Sequence, residues 1–239
     1  MNIEIVSHCY AVEHPHFAAA LNYQLASLLL YPPTDCEVSA TVCYNPDDPH
    51  TSAVLNYFHA NGLDDSIKLI ALSVEQFHYR CIGRNMAALH STADVVWFTD
   101  CDYVFRGECF DTLARFAEQW PDEVAMVFPA DIQIHCSHDQ GDHDLALASE
   151  PGIHDIDTRQ FIDKHYARAI GGVQVVSGEA ARQYGYLDQD EKWQATGEGV
   201  LRTFRDDIAY RSQCFKRGSV DPIAVPGIYR LRHGRTTYQ

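Results

Sequence analysis

The chain has no run of lysines or arginines and nothing near the roughly 18 consecutive apolar residues that cross a bilayer. With 18 basic against 33 acidic residues, its formal charge of −15 repels phosphate backbones and anionic lipid, which argues against nucleic-acid and membrane partners. An anionic substrate would need a screening cation or a few well-placed arginines. There is no C-x-x-C pair. The eight cysteines are scattered, several inside apolar patterns where a reduced thiol acts as a small hydrophobe, and this predicts a reducing, cytoplasmic setting. The opening residues Met1 to Ile5 read as a strand and lack the basic and apolar regions of a signal peptide. Internal repeats and a dividing linker are missing too, so 239 residues with 46% hydrophobic and 21% charged side chains predict a single globular domain.

What is present is an alternation. Strand-like runs at 3–8, 37–44, 67–73, 95–99 and 124–129 are separated by helical patterns at 16–30, 51–61, 82–92 and 110–120. Pro32-Pro33, Gly62 and Pro121 end three of the helices. Strands joined by single helices predict an α/β fold with a Rossmann-like, mostly parallel sheet flanked by helices. From about 130 to 169 the periodicity fades into a polar, histidine-bearing segment, too long for an ordinary connection and read as a mobile or functional loop. Order returns with "IGGVQVVSG" (170–178), a helix over 202–218 with acids first and bases last, and a final strand with a basic tail.

The motif Asp-x-Asp occurs four times, at Asp100/Asp102, Asp142/Asp144, Asp155/Asp157 and Asp188/Asp190. Only the first follows an apolar strand, "VVWFT". In a parallel sheet the strand C-termini gather along one edge, where ligands bind. Two carboxylates so close repel unless something positive lies between them, and a divalent cation with oxygen ligands is the usual solution. The plainer reading is a helix cap beside a solvated acid.

The stretch "GRNMAALHSTADVVWFTDCDYVF", with an Arg-Asn pair opening a helix, a small-residue bridge, an apolar strand and then Asp-x-Asp, resembles the core of family 2-like glycosyltransferases of the A-type fold. The match covers about 25 residues. The resemblance implies a metal-dependent hexosyltransferase that moves a sugar from a nucleoside-diphosphate sugar to an acceptor hydroxyl, with inversion. It implies that Asp100 helps hold the nucleotide, that Asp102 ligates Mn2+ or Mg2+, and that Arg84 and Asn85 line the nucleotide pocket. The acid after the second strand, Asp47 or Asp48 in "NPDDPH", would contact base or ribose, although a polar turn explains it equally well. Residues 1–130 would then form the nucleotide-sugar half and 131–239 the acceptor half.

The second half offers two further matches to that family. "FRDDIAYR" fits an acceptor-side helix opening on two acids, with Asp207 as general base and Asp206 as acceptor contact. Many relatives have Glu where Asp206 stands, and capping of the helix is the alternative. "YRLRHG" resembles a late strand and loop that carries a metal-binding histidine, here His233, and an imidazole ligand favours manganese. Arg230, Arg232 and Arg235 would meet the diphosphate or form only a basic tail. Trp193 would stack on a sugar or pack in the core.

Three rival readings remain at this level. A haloacid-dehalogenase-type phosphatase also ends a strand in Asp-x-Asp, but in its first strand and followed by Thr or Val. A zinc protein would draw on His135, Cys136, His138, His143, His154 and His165, whose spacing matches no strong zinc pattern. A non-catalytic domain of the same fold is the third.

Overall fold

The computed structural model describes residues 1–9, 11, 14–196 and 205–234. Arg235 and the first residues of the expected 202–218 helix lie outside them. The elements run β1 (Asn2–His8), α1 (His16–Leu30), β2 (Glu37–Tyr44), α2 (Pro49–Phe58), β3 (Ile67–Ala71), α3 (Val74–Phe77), α4 (Arg80–His90), β4 (Val95–Phe98), β5 (Tyr103–Phe105), α5 (Cys109–Ala117) and β6 (Val124–Pro129). There follow β7 (Asp131–His135), α6 (His138–Leu147), β8 (Phe161–His165), β9 (Gln174–Ser177), α7 (Gly178–Tyr184), α8 (Glu191–Gln194), α9 (Asp206–Cys214), β10 (Ser219–Ile223) and β11 (Ile228–Arg230).

Seven strands form one sheet in the order β3-β2-β1-β4-β9-β6-β10. All its pairings are parallel except those of β9, which runs against both β4 and β6. The mostly parallel sheet is therefore as expected. β1 and β4 are its centre, and their side chains from Ile3 to Val6 and Val95 to Phe98 are buried on both faces, as near-continuous apolar runs require. β3, whose apolar run reads in sequence as a buried strand, instead sits at the edge of the sheet with Leu69 40% exposed. Helix α1 is buried almost all round from Ala18 to Leu28, since α2, α6 and β5 pack on it.

The polar segment at 130–169 is not a loop. It holds β7, α6 and β8, and β7 pairs antiparallel with β8 from Asp131↔His165 to His135↔Phe161. With β5 and β11 these strands make a second sheet in the order β5-β11-β7-β8. β7 and β8 are short and partly exposed and mix apolar and polar residues, so the sequence carries no clean period of two there. The eight cysteines are unpaired and six of them are buried, in line with their reading as small hydrophobes. Among the described residues no helix is long and apolar enough to cross a membrane.

Candidate active site

β4 ends at the sheet edge that β1 and β2 also reach, and the chain turns there through Thr99–Asp102. The turn is held from several sides. Thr99 N–H donates to Val6 O at 3.0 Å, Leu231 N–H donates to Asp102 O at 2.8 Å, and the Gln24 amide on α1 donates to the carbonyls of Asp100 (3.0 Å) and Tyr103 (3.1 Å). Because β9 is antiparallel to β4, with Gln174 opposite Phe98, the Gly171-Gly172 turn that starts β9 lies beside the end of β4. Trp97 Nε1 fixes that turn by donating to Gly172 O at 3.1 Å. A Cβ on Gly172 would lie 2.2 Å from the Tyr103 ring, so only glycine allows this approach.

The two aspartates turn to different partners. Asp100 pairs with Arg80 Nη1 at 3.1 Å and with Arg84 Nη2 at 3.0 Å. Asp102, 3% exposed, accepts from Arg230 Nε at 3.0 Å. β11 delivers Arg230 because it pairs antiparallel with β5, placing Arg230 opposite Tyr103. Burial works to raise the Asp100 carboxyl, but Arg80, Arg84 and Arg230 outweigh it and hold it below the ordinary carboxylate value. The Asp102 carboxylate in turn holds the Arg230 guanidinium well above its usual value. The repulsion that suggested a cation between the aspartates is thus met by three guanidinium groups.

Arg80, which the sequence reading passed over, is the bridge of the site. Its Nη2 donates to Asp206 Oδ1 at 2.8 Å, joining the acids of α9 to the turn after β4. It stands four residues before Arg84 on α4, the spacing that puts two side chains on one helix face, so a helix start at Arg80 rather than Ile82 would have revealed it. Asp206 is 1% exposed and its Oδ2 is buried without a hydrogen-bond partner. Asp207 is half-buried, with Oδ2 3.7 Å from where a Cβ on Gly171 would lie. Its carbonyl accepts from Gln174 Nε2 at 2.8 Å, and among the described residues nothing hydrogen-bonds its carboxylate.

Other expected residues have different surroundings. Arg84 is fully buried behind Asp100 and also donates to Thr99 O (2.9 Å) and Tyr186 Oη (3.1 Å). Asn85 spends its amide on the loop after α7, donating to Asp188 Oδ1 and accepting from Tyr186 N–H, each at 2.8 Å. Asp48 is fully buried and caps α2, accepting from His50 N–H (3.0 Å), Thr51 N–H (3.3 Å) and Thr51 Oγ1 (2.6 Å). Its carboxylate faces its own helix, in keeping with the polar-turn alternative. Trp193 packs against the edge of the core.

His233 does reach Asp102, with Nε2 4.0 Å from Oδ2. The histidine-bearing segment explains how. His138 Nδ1 meets His233 O at 2.7 Å, Asp142 accepts from Gly234 N–H at 2.9 Å, and Arg232 N–H donates to His135 Nδ1 at 3.2 Å. His135 is itself fully buried and fixed by Asp144 at 3.0 Å. Helix α6 can lie this close because a Cβ on Gly141 would sit 1.6 Å from Arg232 O. Four of the five histidines considered for zinc are thus engaged in structural bonds, with His154 on Glu150 O and His165 on Asp131.

Asp102 Oδ1 is buried without a hydrogen-bond partner, and together with His233 Nε2 it offers the oxygen-and-nitrogen pair that Mn2+ accepts. The residues fit a divalent cation to that extent. Among the described residues no three His, Cys, Asp or Glu side chains already stand at ligand spacing.

A central, mostly parallel sheet with one reversed strand, flanked by helices and joined by a small second sheet, is the A-type glycosyltransferase fold. The chain is similar to S. aureus TarS residues 1–349 in complex with UDP-GlcNAc (TM-score 0.61, 13% identity, covering 100% of this chain and 62% of that one). It is also similar to the mannosyltransferase PcManGT from Pyrobaculum calidifontis in complex with GDP-Man and Mn2+ (TM-score 0.59, 14% identity, 98% and 58%). The chain therefore spans about three fifths of the length of these solved chains. No protein-family model matches the sequence. No curated protein matches it either.

Proposed function

We propose that the chain is a glycosyltransferase that moves a hexose from a nucleoside-diphosphate sugar to an acceptor hydroxyl with inversion. The observation that carries this reading is the Arg80 bridge, which brings Asp206 and Asp207 to the same sheet edge as Asp100 and Asp102. Asp207, whose carboxylate has no hydrogen bond among the described residues, is the general base that takes the acceptor proton. Asp206, fixed by Arg80, orients the acceptor side. Arg80, Arg84 and Arg230 offset the charges of Asp100, Asp102 and Asp206, which lowers the repulsion a diphosphate would meet at this edge. Asp102 and His233 would hold Mn2+ or Mg2+, which when bound offsets charge on the departing diphosphate.

A second reading, transfer without a cation, is favoured by the pairing of both aspartates with arginines. A thermal-shift screen of UDP-, GDP- and dTDP-sugars with and without Mn2+ tests both. The solved neighbours were obtained with UDP-GlcNAc or with GDP-Man and Mn2+, so these donors come first. Stabilisation of about 2–3 kcal/mol is expected near a hundredfold excess over Kd. If it requires Mn2+ the first reading holds, and if it is equal without Mn2+ the second does. No stabilisation by any nucleotide sugar would remove the donor assignment altogether.

A further inference from the structure

The edge of the sheet opposite Asp100 and Asp102 carries a second cleft, of about 330 Å³. β9 runs against β4, so Ser177 at its end stands opposite Val95, the first residue of β4. The cleft lies there, between the segment leading into β6, helix α7 and the end of α9. The length of β4, roughly 15 Å of extended chain, separates it from the aspartates. Its walls are fixed from within. Trp120 Nε1 donates to Val124 O at 2.8 Å, which holds the half-buried indole in place. Tyr210, 2% exposed, is stacked on Tyr186 with 4.0 Å between ring centroids. The Arg217 guanidinium lies over the Tyr184 ring, 3.9 Å from its centroid. No carboxylate among the described residues pairs with that guanidinium. Asp122, Glu179 and Gln183 line the same cleft as exposed side chains.

We propose that this cleft binds a sugar ring of a glycan chain, apart from the site of transfer. A sugar has uncharged C–H faces that lie flat on aromatic rings, and a girdle of hydroxyls that meet amides, carboxylates and guanidinium groups. Trp120 and Tyr184 supply the first, and Asp122, Gln183 and Arg217 supply the second. Clefts that hold small ligands run from about 300 Å³ upward, so this one suits a short piece of saccharide rather than a long segment. Other ligand classes fit worse. An alkyl chain would strip water from these polar groups without replacing it. An organic cation would meet Arg217 already seated on Tyr184. A phosphate would meet Asp122 and Glu179 in a chain of net charge −15. In a protein that transfers sugars, such a cleft keeps a glycan tethered between turnovers and raises its local concentration at the other edge.

The test is a titration of 15N-labelled wild-type protein, followed by NMR, with soluble oligosaccharides of glucose, mannose, galactose and N-acetylglucosamine, and separately with inorganic phosphate. At millimolar concentration at least one of the saccharides should shift the Trp120 indole N–H and the Gln183 side-chain amide, with or without a second set of shifts at Gln174 beside Asp207. Saccharide shifts confined to Gln174 and Trp193 would mean binding at the transfer site alone and overturn the proposal. Shifts at Trp120 with phosphate but with no saccharide would make this an anion cleft and overturn it equally, as would silence across the panel. The double variant Gln183→Ala with Arg217→Ala, checked for folding by circular dichroism, should weaken the saccharide about tenfold or more. Undiminished affinity there rejects the cleft as the site. Nucleotide-sugar binding at the opposite edge should be the same in that variant as in wild type. Because saccharide binding is read without turnover, a failure of the transferase reading leaves this result standing.

Discussion

At the scale of single residues, the site is an account of how six buried or half-buried charges are matched. Asp100 takes two arginines, Asp102 takes one, and Asp206 shares Arg80 with Asp100. Asp207, whose carboxylate has no hydrogen bond among the described residues, is the proposed base. Replacing it with asparagine keeps size and shape but removes the proton acceptor, so the transfer rate should fall by about 10²–10⁴-fold while donor binding persists. Initial-rate kinetics beside calorimetric donor binding measure the two separately. Normal turnover in Asp207→Asn, with turnover lost in Asp206→Asn, would move the base by one residue. The sequence pointed to these acids by their place in a motif. It gave no hint that Arg80 and Arg230 pair with these acids, because they lie 20 and 128 residues away from their partners.

At the scale of elements, α4 is the organiser, presenting Arg80 and Arg84 on one face toward the edge of the sheet. Arg80→Met would strand Asp206, whose side chain is 2% exposed, as an uncompensated buried charge. Because Arg80 itself is 24% exposed, the expected loss is about 2–4 kcal/mol, below that of a fully buried pair. Adding Asp206→Asn should recover part of it, which urea unfolding midpoints of the single and double variants will show. If the double variant is no more stable than Arg80→Met, Asp206 is not the charge being compensated. The segment at 130–169 is the element that local patterning missed. Its strand β7 pairs with β11, nearly a hundred residues on, and α6 spends polar side chains holding the His233 segment. Polar residues used in long-range bonds look, in sequence, like residues facing water.

At the scale of the whole molecule, the sheet sets the response to acid. His8, at the end of the central strand β1, is 3% exposed, and its Nε2 meets Phe77 O at 2.8 Å. Burial pushes its imidazole down to about 3, with Arg80 and Arg84 adding to the effect. The unfolded chain binds this proton near pH 6.5, whereas the folded one refuses it until about pH 3. Stability is therefore full above about pH 6.5 and falls as pH drops, by up to about 1.4 kcal/mol per unit from this group. Thermal melts between pH 7 and pH 4 should show a shallower fall in His8→Gln than in wild type. Parallel slopes would mean that His8 does not carry the linkage.

The sequence by itself determined the α/β alternation, the parallel centre of the sheet and the placing of one Asp-x-Asp at its edge. Hydrophobic period and turn residues are local, and they are strong where strands are buried on both faces. Tertiary structure alone decided the reversed strand β9 that sets Gly172 against Tyr103, the second sheet that brings His233 to Asp102, and the choice of Arg80 as the bridge to Asp206. Each of these depends on a contact between distant segments, whose free energy comes from packing and charge pairing that no local window contains.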